Sequence, residues 1–128
     1  MNKIIALFGE SEKGRYNYTY FCSNLVQLAE FLGNSPENST GISFAIQSIM
    51  YEMDIIFFRV SEEGFSYDDY MFGLETLQNE PKIKKLNALC LPKVSNIEII
   101  NSLDPICKKF KSIIITTQKD LFDYLISR

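Results

Sequence analysis

Four short runs of the chain are apolar on nearly every position: Lys3 to Gly9, Ile55 to Val60, Leu86 to Leu91 and Ser112 to Thr117. A strand with one face in water alternates apolar and polar residues. A strand that is apolar throughout is covered on both faces, as happens in parallel sheets packed between helices. The segments between these runs carry helical spacing. Phe21, Leu25, Leu28 and Leu32 recur at intervals of four, three and four from Thr19 onward, and Gly33 with Asn34 supplies a left-handed stop. Ile42, Ala45, Ile46, Ile49 and Met53 mark a second helix over 40–52. Ser66 and Asp69 read as a capping box opening a third, which ends before Pro81. Ser95 and Glu98 form a further capping box. That helix either ends near Leu103 or restarts at Asp104-Pro105, since proline suits the first helical position. Thr117 and Asp120 cap a last helix with Leu121, Phe122 and Leu125 facing inward.

The order β-α-α-β-α-β-α-β-α implies an α/β three-layer domain over 1–128. Its sheet is mostly parallel with helices on both faces, as in flavodoxin- and Rossmann-like folds. Four strands are expected, the first of them inside the sheet. A fifth, an edge strand near Asn38 to Thr40, would explain the two successive helices. The 14.8 kDa mass corresponds to a folded surface of about 7,000 Å², enough to enclose one core without disulfide staples.

Composition removes several chemistries. The chain has no histidine, so Ser-His-Asp and Cys-His catalysis and His-ligated zinc are excluded. Its three cysteines, Cys22, Cys90 and Cys107, contain no C-x-x-C and read as packing residues of a reducing compartment. A net charge of −3 supplies no overall basic field for nucleic acid. No apolar run reaches membrane-spanning length. The expectation is a soluble cytoplasmic protein with no nucleic-acid or membrane partner. Neither a cofactor nor a catalytic residue is indicated, and no metal site is expected: Glu62-Glu63 and Asp68-Asp69 read as solvation and capping.

Open parallel sheets bind ligands at the carboxyl ends of their strands. This position selects Glu10 and Ser11 after the first strand, and Arg59, Glu62 and Glu63 at the second. It also selects Pro92 and Lys93, and Thr116 and Thr117. Gly9 to Arg15 has the G-x-x-x-x-G spacing of a phosphate loop. However, Arg15 and Tyr16 stand where lysine and a metal-binding Ser or Thr belong, and Glu10 and Glu12 are acidic. The loop therefore reads as a βα connection that could still meet an anion through Lys13 and Arg15, with Glu10 accepting from hydroxyls. The candidate ligand set is Glu10, Ser11, Lys13, Arg15 and Arg59. Arg59 either grips a carboxylate or phosphate, or neutralises Glu10, Glu62 or Glu63. Tyr16, Tyr18 and Tyr20 alternate and either stack on a ligand or cover the first helix.

Element order, with the carboxylate of Glu10 after the first strand, resembles nucleoside deoxyribosyltransferase-like and TIR-like small α/β domains. Two functions follow as expectations. One is a domain, enzymatic or not, that binds a nucleotide, nucleoside or sugar phosphate at the strand ends. The other is a non-catalytic regulatory or protein-interaction module on the same scaffold. They differ in whether Glu10 and Arg59 face one concavity or tyrosine side chains fill that place. Phe44, Met50 and Tyr51 lie off the inward stripe of the second helix, which points to a homodimer contact or to a position under the Tyr-rich loop.

Overall fold

The computed structural model describes residues 2–127. Strands β1 (Ile4–Gly9), β3 (Asp54–Arg59), β4 (Ala88–Cys90) and β5 (Ile113–Ile115) pair in parallel, and β2 (Tyr20–Cys22) joins β3 antiparallel. The sheet order is β2-β3-β1-β4-β5, which puts β1 at the centre. The fold is α/β, consistent with a three-layer flavodoxin/Rossmann-like arrangement. The parallel pairing and central first strand follow the apolar runs. The accessible surface, 6918 Å², is the size expected for the mass.

Alternation along the strands sorts the core into two halves. Ile5, Leu7, Ile55, Phe57, Ala88 and Cys90 face α1 (Leu25–Leu32), α2 (Gly41–Met50) and α6 (Gln118–Ser127). Ala6, Phe8, Ile56, Phe58 and Leu89 face α3 (Tyr67–Asn79), α4 (Ile97–Ser102) and α5 (Asp104–Phe110). Phe8 stacks on Phe58 at 4.9 Å and on Tyr70 at 5.4 Å, so an aromatic column ties α3 to the sheet.

Several local expectations are corrected. The fifth strand is Tyr20–Cys22, not a segment near 38–40. The Asn24 side chain accepts from the Gln27 amide at 2.9 Å, which starts α1 at Leu25 and releases Phe21 to the strand. Phe21 and Leu25, expected inside, are exposed, as is Phe122. On α2 Ile42 and Ala45 are buried and Met50 is exposed as expected, but Phe44 is buried and Ile46 exposed, the reverse of their expected places. Ser66 and Asp69 form no capping box. Ser66 Oγ bonds Glu62, and Asp69 accepts from the amide and hydroxyl of Ser61 at 2.8 and 3.0 Å. Asn96, not Ser95, caps α4, and α5 restarts at Asp104 with Pro105 in its first turn. No helix among the described residues is long and apolar enough to cross a membrane.

Candidate functional site

The carboxyl ends of β1 and β3 meet the start of α2 through a close backbone approach. A Cβ added to Gly9 would lie 2.6 Å from Gly41 Cα, and one added to Gly41 would lie equally close to Gly9 Cα. Only paired glycines let the strand end and the helix start touch in this way. Helix starts leave amides unpaired and carry partial positive charge, so they attract anions. At α2 the chain supplies that anion itself. Glu63, 2% exposed, accepts from the Thr40 amide at 2.9 Å and the Thr40 hydroxyl at 3.2 Å through Oε1. Through Oε2 it accepts from the Glu10 and Gly41 amides, both at 2.9 Å. Lys93 Nζ stands 3.9 Å from Oε1 and also donates to the Asn38 carbonyl. One carboxylate thus joins the end of β1, the start of α2 and the segments after β3 and β4. Thr40, the residue at the N-cap position, makes no side-chain cap of its own.

Glu10 completes the arrangement in reverse: its Oε2 accepts from the Glu63 amide at 2.9 Å. The structure therefore pairs two acids through each other's main chain. Sequence reasoning placed Glu10 at a ligand and read Glu63 as solvation. The available signal was position, since an acid four residues beyond a buried parallel strand can reach a neighbouring helix start.

Arg59 does not form the expected ion pair with Glu10, Glu62 or Glu63. Its guanidinium donates to the Gly14 carbonyl at 2.6 Å and to the Ser11 carbonyl at 3.1 Å. The Tyr16 ring lies over it, 4.3 Å from centroid to Cζ. Among the described residues it has no carboxylate within ion-pair distance, and its buried Nε lacks an acceptor. Arg59 thus clamps the first loop. Ser11, also buried, turns its hydroxyl to the Lys13 carbonyl at 2.8 Å. The same loop is held to the end of α1: Glu12 exchanges contacts with Asn34, and the Lys13 amide donates to Leu32.

Of the five candidate residues, Glu10, Ser11 and Arg59 converge on this loop. Lys13 and Arg15 have exposed side chains, and Arg15 lies over the Tyr18 ring at 5.1 Å, beside β2. The tyrosine alternation divides between two tasks. Tyr16 covers Arg59, while the buried Tyr20 accepts from the Arg15 amide at 2.6 Å and packs near Tyr18 and Phe31.

No group of three or more acid and cysteine side chains able to hold a metal occurs among the described residues. Burial pushes the Cys22 thiol up to about 11 and raises Cys90 further, so neither is a ready nucleophile. Burial likewise raises Tyr70, whose hydroxyl oxygen accepts from the Gly64 amide at 2.7 Å. The chain matches no protein-family model, no curated protein and no solved structure.

Proposed function

We propose that this chain is a non-catalytic protein-interaction module. What supports the reading is one observation: the polar groups at the carboxyl strand ends engage one another. Glu63 occupies the start of α2, Glu10 bonds the Glu63 amide, and Arg59 bonds loop carbonyls beneath Tyr16. Groups already bonded within the protein are poor ligand contacts, because a ligand has to replace bonds of similar strength.

A second reading has one observation in its favour. Arg59 lacks both a carboxylate partner among the described residues and an acceptor for Nε. A nucleotide or sugar phosphate at Glu10, Ser11, Lys13, Arg15 and Arg59 would supply the missing charge, whereas a nucleoside, being neutral, would offer only hydroxyls to Glu10. Thermal-shift measurements with nucleotides, nucleosides and sugar phosphates separate the two readings. A ligand at a hundred times its Kd adds about 2.7 kcal/mol to the folded state, or several degrees in Tm. The module reading expects no such rise. A rise that Arg59→Ala and Glu10→Gln both abolish, with the fold intact, overturns it in favour of the ligand site.

A further inference from the structure

Strand β2 ends the sheet, and its far side pairs with no other strand among the described residues. An uncovered edge is a template for another extended chain. Its surroundings give that chain a chemistry. On one flank Tyr18, Tyr20, Phe21 and Phe31 line a hollow of about 300 Å³, in which the Tyr20 ring packs on Tyr18 and Phe31. On the other flank Phe21 borders a second hollow, of about 140 Å³, whose lining includes Lys82, Lys84 and Lys85. Arg15 stands over Tyr18 at the first hollow. Among the described residues, none of these four cations has an ion pair. Asp54, at the second hollow, accepts from the Asn2 side chain. In a chain of net charge −3, four cations against the one carboxylate of Asp54 leave the two hollows beside β2 with an excess of positive charge.

Area limits the size of the occupant. Tyr18, Phe21 and Phe31 are 44, 55 and 39% exposed, which leaves roughly 300 Å² of aromatic residue surface. A standard protein interface buries about 800 Å² on each side. The patch therefore suits a short segment that gains its remaining affinity from main-chain hydrogen bonds.

We infer that β2 accepts an extended, acidic segment of a partner protein as an added strand. Apolar side chains of that segment pack on Tyr18, Phe21 and Phe31, while its carboxylates meet Arg15 and the lysines of residues 82–85. A protein partner fits better than single-stranded nucleic acid, because an unpaired strand edge offers main-chain groups that a nucleic acid has no matching ladder to use. The inference rests on the interaction-module reading, but the two fail separately. The ligand screen tests the strand ends, and the following experiment tests only the edge.

A display library of random octapeptides is selected on the full chain. Enriched peptides are then synthesised with a fluorescent label and titrated by anisotropy at two salt concentrations. The expected peptides alternate acidic and apolar residues and bind more weakly at high salt. They lose at least tenfold in affinity with Phe21→Lys and with Arg15→Glu, and again when a central peptide amide is N-methylated. Phe21→Ser replaces Phe21→Lys if the latter shifts the unfolding midpoint. Four outcomes overturn the inference: no enrichment, enrichment of basic peptides, indifference to Phe21 substitution, and indifference to N-methylation. Tighter binding of an oligothymidylate that also depends on Phe21 assigns the face to nucleic acid and overturns it as well. So does a sedimenting dimer that Phe21→Lys dissolves, which assigns the face to a second copy.

Discussion

The protein treats polar groups that a partner could use in opposite ways at the carboxyl ends of β1 and β3 and at the free edge of β2. At the carboxyl ends of β1 and β3, donors and acceptors close on one another around Glu63, and paired glycines bring backbone against backbone. At the free edge of β2 the main chain has no outer strand, aromatic rings face solvent, and the nearby cations lack ionic partners among the described residues. A strand-end position therefore does not by itself mark a binding site. The helix start that would attract an external anion is equally able to attract an internal one.

Glu63→Gln should sharpen this contrast most. The amide can present one oxygen to the donors now shared between two, so either the Thr40 amide or the Glu10 and Gly41 amides face an NH₂ group. Removing one partner from a buried charged network costs about 3–5 kcal/mol. The expected result in urea denaturation is a loss in that range, against less than about 1 kcal/mol for Phe21→Ser at the exposed edge. Equal losses at the two positions would erase the distinction.

Gly41→Ala tests the close approach at the same place. Its new Cβ would lie 2.6 Å from Gly9 Cα and 2.9 Å from Glu63 Oε2, so the strand end and helix start must separate. A loss of about 1–3 kcal/mol is expected. An unchanged midpoint would mean that the junction is loose. Tyr16→Ala, which uncovers the Arg59 guanidinium, should cost about 0.5–2 kcal/mol, the range of a cation–π contact.

The smallest effect concerns pH and serves as a control on both regions. The Cys22 thiol, on the buried face of β2, is raised by burial from 9.0 to about 11. The folded state therefore keeps its proton through a range in which the unfolded chain loses it. The associated stability is fully present below pH 9 and is lost as pH rises toward 11, at up to about 1.4 kcal/mol per pH unit for one thiol. Cys22→Ala should flatten the fall of Tm over that window. An unaltered slope would assign the fall to Cys90 and Tyr70, whose ionisation burial also opposes.

The layered fold was legible because unbroken apolar runs such as Ile4 to Phe8 and Ile55 to Phe58 have few other uses in a chain with helices between them. Strand β2 was not, because three residues carry no period. Phe21 falls in phase with Leu25, Leu28 and Leu32, so the helical pattern absorbs it until Asn24 is recognised as the cap. The strand-end residues were correctly placed: Glu10, Ser11 and Arg59 do gather there. Their partners were not readable. Arg59 turns to carbonyls, and Glu63 reaches Thr40 and Gly41 across 22 or 23 positions, a contact that only the tertiary fold creates.

Residue-resolved hydrogen exchange of the folded chain, with and without added phosphate, compares the two regions in one experiment. The account predicts that the amides of Glu10, Thr40 and Gly41, bonded to Glu63, exchange only through large openings and do not respond to phosphate. Amides at the outer edge of Tyr20 to Cys22 should exchange through local opening. Fast exchange at Thr40 and Gly41, or protection of these amides that rises with phosphate, would contradict it: the start of α2 would then be an open anion site.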